Sequence, residues 1–150
     1  MVVENCEAVL IDSATEVLET MYFTSVFGLA EPDDPSAEQS LGAQLAFRGD
    51  AAGTFGVDAP MNTARTLAAN FLAGEEDEVS ETQCAEVLCE LANMICGATL
   101  LRLGANSRFD LSHPEIKRER WKEQCGTGIA RVALQLDNGL LEIWIKPEKP

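Results

Sequence analysis

The residues that could do chemistry in this sequence form one stripe along a predicted helix: Glu86, Glu90, Asn93 and Gly97. At about 100° per residue, these positions fall within roughly 60° of one another on the helix surface. An Asn and a Gly in mid-helix each cost stability relative to Ala, Gly by about 1 kcal/mol. The sequence has both of these destabilising residues next to acidic side chains. We therefore expect the functional site to lie on this stripe.

Residues for other kinds of catalytic site are scarce. The one histidine, His113, precedes a proline in a predicted loop, and the sequence has no Gly-x-Ser-x-Gly nucleophile elbow. It has no phosphate-binding loop, dinucleotide fingerprint or zinc-ligand spacing either. The five cysteines include no Cys-x-x-Cys pair and predict reduced thiols rather than disulfides or metal ligands. We therefore expect no metal site.

Composition predicts one globular domain over residues 1–150. The 150 residues are 46% hydrophobic and carry a formal net charge of −14. That charge disfavours nucleic acid and anionic membrane surfaces as partners, because both would repel the chain. No apolar run approaches the roughly 20 residues of a membrane span, and the N-terminus lacks the pattern of a signal peptide. A cytoplasmic protein is expected.

The stripe needs a rigid element, and the sequence predicts a helix over residues 80–103. Ser80 and Gln83 have the spacing of a capping box, and Gly104 is placed to end the helix. An apolar face lies opposite the stripe and consists of Cys84, Val87, Leu91, Ile95 and Ala98. An alternative interpretation ends the helix at Gly97, starts a strand at residue 98 and leaves Asn93 as an ordinary surface residue.

Two further helices are expected before this one. Apolar residues recur at helical spacing over residues 4–27, with Gly28 as the stop signal. A second helix is predicted from Pro60, at its first turn, to about residue 73, with Gly74 as its end. Residues 105–125 give no clear pattern.

Two hairpins complete the prediction. Alternating residues indicate strands at 41–48 and 53–59, joined by a four-residue turn. A second pair at 128–136 and 140–146 is joined by an Asp-Asn-Gly turn. Helices and hairpins in this order favour an α+β fold, with a mainly antiparallel sheet and long helices packed on it.

Together with Pro114, the stripe resembles the signature of the CheC/CheX/FliY phosphatases of bacterial chemotaxis. That signature is an Asp or Ser, three residues, a Glu, two residues, an Asn and a downstream Pro. Here it reads Glu86, Glu90, Asn93 and, after twenty intervening residues, Pro114. Position 86 departs from the pattern, and the spacing to Pro114 is slightly shorter than the family's usual one. The single site is most similar to CheX.

The resemblance implies a CheC/CheX-like fold and hydrolysis of the aspartyl phosphate of a response regulator such as CheY. Asn93 would orient the attacking water, and Glu90 would pair with the regulator's active-site lysine. Glu86, Gly97 and Pro114 would lie at the partner surface. The chain itself would bind no cofactor, since the regulator supplies its own Mg²⁺. An alternative is a non-catalytic CheX-like module that binds a regulator or a flagellar-switch-type partner.

The first predicted helix repeats the spacing of the stripe with Asp12, Glu16, Glu19 and Phe23. Glu19 stands where a second site would need an Asn, so the resemblance implies a lost site with a structural role. The CheX branch is dimeric through its sheet, and a homodimer is expected, with strand 140–145 as an exposed edge. A third alternative is an α+β domain with an unrelated ligand.

Overall fold

The computed structural model describes residues 6–30, 40–104, 108–118, 129–137 and 139–148. These residues form helices, strands and one short 3₁₀ turn at Glu76–Glu78. The elements in chain order are α1 (Cys6–Met21), β1 (Val26–Leu29), β2 (Ser40–Gly49), β3 (Gly53–Pro60), α2 (Met61–Leu72), α3 (Glu81–Leu103), β4 (Phe109–Leu111), β5 (Glu115–Lys117), β6 (Ala130–Leu136) and β7 (Gly139–Pro147).

The strands form one sheet in which every pairing between described residues is antiparallel. Neighbouring strands follow the order β1, β6, β7, β3, β2, and both β4 and β5 pair with the outer side of β2. The helices cover one face, where α3 contacts α1, α2 and the strands β2 and β3. The predicted α+β fold, a mainly antiparallel sheet with long helices packed on it, is confirmed.

The core lies between the helical layer and the sheet. Alternate side chains of each strand point into it, as expected for strands with a period of two residues. Its largest fully buried side chains are Leu10, Leu18, Tyr22, Leu41, Phe47, Phe55, Leu67, Leu88, Leu91, Ile95, Leu134 and Leu141. Because α3 contributes three of these, its buried face is fixed, and so is the face that it turns to solvent.

Both predicted hairpins are confirmed. In the first, Ala43 of β2 lies opposite Val57 of β3, and in the second, Leu134 of β6 lies opposite Leu141 of β7. Gly139 begins β7 with a φ of 149°, a backbone conformation that residues other than glycine rarely adopt. The central Asn138 of the predicted turn lies outside the described residues.

The exposed edge predicted at residues 140–145 is wrong. This segment belongs to β7, which lies in the middle of the sheet between β6 and β3. The indole of Trp144 covers Gly56 of β3, where an added Cβ would lie 2.3 Å from the ring. An alternating sequence pattern indicates which face of a strand is covered, whereas the strand's place in the sheet depends on partners distant in sequence. The edges are β1 on one side and β4 with β5 on the other.

The first helix ends earlier than predicted. α1 stops at Met21, and Phe23 takes a φ of 49°, which directs the chain out of the helix. The N–H of Thr24 then donates to the carbonyl of Leu18 at 3.0 Å. Gly28 lies inside β1 instead of ending a helix, because residues 26–29 pair with β6. This pairing is non-local, so helical spacing could not reveal it.

The second helix ends within one residue of the prediction, at Leu72, but its cap is not the predicted glycine. Ala73, not Gly74, adopts the left-handed conformation, with a φ of 55°. The N–H of Gly74 donates to the carbonyl of Ala69 at 2.9 Å and closes the last turn. The stop was therefore predicted one residue too late.

The third helix was predicted at both ends. The Ser80 hydroxyl accepts from the Gln83 N–H at 3.1 Å, and the Gln83 side chain accepts from the Ser80 N–H at 2.9 Å. Gly104 caps the other end, and its N–H donates to the Leu100 carbonyl. The helix continues through Gly97, so the alternative that began a strand at residue 98 is wrong.

The composition of α3 corrects the expectation about apolar runs. Glu81–Leu103 is a helix long and apolar enough to cross a membrane by length and composition, with a mean hydropathy of 1.5. Half of its most apolar stretch is buried inside the protein, where α3 packs against α1, α2 and the sheet. The core helix of a globular domain meets the same criterion, and this burial agrees with that role.

The order of the elements repeats itself in the two halves of the chain. The first half runs α1, β1, β2, β3, and the second runs α3, then β4 and β5, then β6 and β7. In this relation β1 corresponds to β4 and β5, β2 to β6, and β3 to β7. Exchanging the corresponding strands gives the same order read from the opposite edge of the sheet, with β3 and β7 meeting at its centre. This approximate twofold relation gives the repeated spacing on α1 and α3 a structural basis.

Candidate functional site

The four stripe residues lie together on the outer surface of α3, as predicted. Glu86 and Glu90 are exposed, and Asn93 and Gly97 are half-buried. The opposite side is buried in the core and carries Cys84, Val87, Leu91 and Ile95, while Ala98 is half-buried. The helix thus holds a carboxylate and a carboxamide one turn apart on a surface that a partner can reach.

The frame around α3 is rigid. The helix packs against α1, α2, β2 and β3, and a complete capping box fixes its first turn. Near its last turn, the Arg102 guanidinium forms an ion pair with Glu16 of α1 and donates to the Ser13 hydroxyl. Side chains on an element held at both ends keep a fixed relation to each other.

Neither polar side chain of the site is engaged within the described part of the chain. No described cation forms an ion pair with Glu90, and no described residue hydrogen-bonds the Asn93 carboxamide. Both groups are therefore available to an external partner. An amide can accept from one group while donating to another, and a carboxylate can bind a cation.

Gly97 has no internal structural reason to be glycine. A Cβ built on it meets nothing within 4 Å beyond the helix's own backbone, so an alanine would fit. Glycine nevertheless costs about 1 kcal/mol relative to alanine at an interior helix position. The missing side chain leaves a flat surface beside Asn93, which favours close approach by another molecule.

Pro114 lies against the same helix. Its carbonyl accepts a long hydrogen bond of 3.9 Å from the Cys89 thiol, and its side chain is half-buried. Cys89 directly precedes Glu90, so the structure brings Pro114 to the flank of the stripe. Burial, followed by the charges of Glu90 and Glu86, raises the pKa of the Cys89 thiol, which stays protonated at neutral pH.

Tyr22 is part of this region and was not singled out from the sequence as a site residue. Its side chain is fully buried, its ring stacks on Phe71 at 4.8 Å, and its hydroxyl donates to the Val87 carbonyl at 3.3 Å. Burial, and secondly the charge of Glu90, raises the pKa of the hydroxyl. The only sequence signal was its helical spacing, which indicated core and nothing more.

The described residues offer little else that is reactive. They contain no group of three or more His, Cys, Asp and Glu side chains that could hold a metal ion. Cys84, Cys89 and Cys96 are free thiols, and Cys125 lies outside the described residues. The stripe can therefore orient a water or bind a cation, but it holds no nucleophile of its own.

Comparison with known proteins assigns this chain to a family. Residues 41–121, more than half of the chain and including the whole stripe and Pro114, match the family model described as chemotaxis phosphatase CheX. No curated protein matches the chain.

Solved structures agree on the fold. A CheX protein from Desulfovibrio desulfuricans is 15% identical, with a TM-score of 0.75, over 96% of this chain and 99% of its own. A CheX protein from Vibrio vulnificus is 17% identical, with a TM-score of 0.75 and 99% coverage of both chains. A CheX-CheY-BeF3-Mg²⁺ complex from Borrelia burgdorferi matches at 19% identity and a TM-score of 0.69, over 95% of this chain and 97% of that one. This chain belongs to the CheX family of chemotaxis phosphatases, within the wider CheC/CheX/FliY group.

Proposed function

We propose that the protein is a phosphatase that hydrolyses the aspartyl phosphate of a response regulator such as CheY. The observation that carries the proposal is the pair of unengaged side chains, Glu90 and Asn93, one turn apart on a rigid helix. Membership of the CheX family supports the activity, and a related CheX has been solved in complex with CheY.

Asn93 acts on the water. Its carbonyl oxygen accepts a hydrogen bond from the attacking water, while its NH₂ group donates to a phosphoryl oxygen. Holding the water in line with the phosphorus–oxygen bond converts an unorganised attack into a positioned one. A carboxamide does this without titrating, which suits a stripe that contains no histidine.

Glu90 acts on the regulator. Its carboxylate pairs with the regulator's active-site lysine and docks α3 over the phosphorylated aspartate. Without such a cation, a carboxylate beside a phosphoryl group would be repelled. The regulator's own Mg²⁺ neutralises the charge that develops on the phosphoryl group, and this chain binds no cofactor.

The remaining site residues shape the contact. Gly97 leaves room for the regulator's backbone beside Asn93, since no side chain projects there. Glu86 extends the acidic stripe by one turn toward the regulator, and Pro114 forms the flank of the same surface.

The proposal includes a cytoplasmic homodimer. The free thiols of Cys84, Cys89 and Cys96 support a reducing compartment. For assembly, we assign the sheet edge formed by β1, whose Phe27 and Leu29 are exposed. Light scattering at working concentration tests this, and a monomeric mass would contradict it.

The decisive experiment is the decay of labelled aspartyl phosphate on candidate regulators. Wild type is expected to accelerate the decay, and Glu90→Ala and Asn93→Ala are expected to lose the acceleration. Glu19→Ala is the matched control, because Glu19 is an exposed residue on the equivalent stripe of α1. If wild type binds the regulator without accelerating decay, the protein is a docking module for a regulator or a flagellar-switch-type partner.

A further inference from the structure

We propose that an apolar surface formed by Met21, Phe23 and Leu72 extends the regulator-binding site beyond α3. This inference rests on the proposed function, because it names a second contact for the same partner. We call these three side chains the apolar patch.

The patch lies where the C-terminal ends of α1 and α2 meet α3. Met21 and Phe23 flank Tyr22 at the end of α1, and Leu72 is the last residue of α2. Tyr22 joins both ends to α3, because its ring stacks on Phe71 and its hydroxyl donates to the Val87 carbonyl. The patch is therefore built around the turn of α3 that leads into Glu90.

The exposure of these side chains has no folding explanation. Phe23 is 76% exposed, and Met21 and Leu72 are each 45% exposed. Phe23 also has a φ of 49°, a left-handed conformation in which bulky side chains are disfavoured and glycine is usual. A glycine would relieve that strain and lose almost no buried contact, so the aromatic ring is explained better by an external partner.

The surrounding charge identifies the occupant. Exposed acids follow Leu72 in the linker, at Glu75, Glu76, Asp77 and Glu78, and others lie on α3 at Glu86 and Glu90. A second copy that docked through this same face would bring an identical acidic rim against this one. The surface instead fits a regulator that presents apolar side chains beside basic ones, including the lysine assigned to Glu90.

Phe23→Gly tests the patch, because it removes the ring and relieves the backbone together. The variant is expected to melt at a higher temperature than wild type. The KM for the phosphorylated regulator, and the Kd from titration with it, are expected to rise about tenfold, the effect of losing a well-placed aromatic contact. The kcat is expected to stay unchanged, since Asn93 and Glu90 remain in place.

Ala73→Gly is the matched control. Ala73 follows Leu72, has a φ of 55° and carries only a methyl group, so its replacement relieves similar strain without removing a large side chain. It is expected to raise the melting temperature and leave KM and Kd unchanged. Met21→Gln combined with Leu72→Gln is a second variant and is expected to raise KM without changing the backbone.

If wild type binds the regulator, three outcomes would overturn the patch. One is an unchanged KM and Kd in both patch variants, and another is an equal rise in Ala73→Gly. The third is a loss of dimer mass in Phe23→Gly with KM unchanged, which would assign the surface to a second copy.

Failure of the proposed function looks different, because wild type would then not accelerate decay. In that event the Kd comparison decides the patch, and absence of regulator binding overturns it.

Discussion

The two halves of this protein place the same helical stripe in two different electrical environments. On α1 the stripe is Asp12, Glu16 and Glu19, and Glu16 is bound by Arg102. On α3 the position equivalent to Glu16 is Glu90, which no described cation engages. An acidic side chain on a helix surface becomes structural when its neighbour supplies a cation, and it stays available to a partner when none does.

The halves also differ in helix length. α1 has 16 residues and ends before the position that corresponds to Gly97, whereas α3 has 23 and continues past it. The chain after α1 turns at Phe23 into the edge strand β1. Only α3 therefore offers an acid, an amide and a flat helical surface in succession.

The largest expected effect is the difference in dephosphorylation rate between removing Asn93 on α3 and removing the equivalent Glu19 on α1. Asn93→Ala is expected to lower the rate of regulator dephosphorylation about 100-fold, the scale reported for removing one preorganised donor from an active site. Glu19→Ala, at the equivalent position of α1, is expected to leave the rate unchanged. Equal losses in both variants would break the comparison, and single-turnover decay measures it.

The next effect concerns the buried thiol next to Gly97. Burial raises the pKa of Cys96 from 9.0 to about 12. The pKa of Cys96 is higher in the folded state than in the unfolded state. The contribution of its protonated thiol to stability is therefore fully present below pH 9 and is lost as the pH rises toward 12. Cys96 alone is expected to lower the free energy of unfolding by about 1.4 kcal/mol per pH unit in that window.

Urea unfolding between pH 8 and pH 11 measures the slope. Cys96→Ala is the comparison: its overall stability is lower because it leaves a cavity, but its slope is expected to be shallower. Parallel slopes in the two proteins would contradict the assignment to Cys96.

Gly97→Ala is expected to separate stability from activity. The added Cβ meets no neighbour, so the helix gains stability of about 1 kcal/mol. The flat surface is lost, and KM for the regulator is expected to rise. Chemical denaturation and phosphatase kinetics on the same preparation test both statements. A stabilised variant with unchanged KM would remove Gly97 from the partner surface.

The smallest effect belongs to the α1 stripe. Arg102→Ala breaks the ion pair with Glu16, both partners of which are partly exposed, so a loss of about 0.5 kcal/mol in unfolding free energy is expected. The phosphatase rate is expected to stay at the wild-type level. A large loss of activity would show that the two stripes are coupled, and thermal unfolding beside the decay assay distinguishes the cases.

Local signals carried much of the prediction. The capping box at Ser80, the cap at Gly104 and both hairpins depend on residues within a few positions of one another, and all were predictable. The stripe followed from helix geometry alone. Its match to a known signature then supplied the family, which the comparisons confirm.

Non-local features were not predictable in this way. β1 forms only because β6 pairs with it, and β7 is central only because β3 lies on its other side. Likewise, the bond from Tyr22 to Val87 joins residues 65 positions apart. Sequence periodicity shows which side of an element is apolar, but not which distant element covers it.

The central position of β7 has a consequence for synthesis on the ribosome. Until Gly139–Pro147 has left the exit tunnel, β3 has no partner on one side, and its whole edge is open to other nascent chains. The sheet closes only when β7 inserts between β3 and β6, so the cooperative step of folding waits for a strand far from β3 in sequence. During this interval the β3 edge is exposed, and a chaperone would protect the chain most by preventing that edge from pairing with other nascent chains.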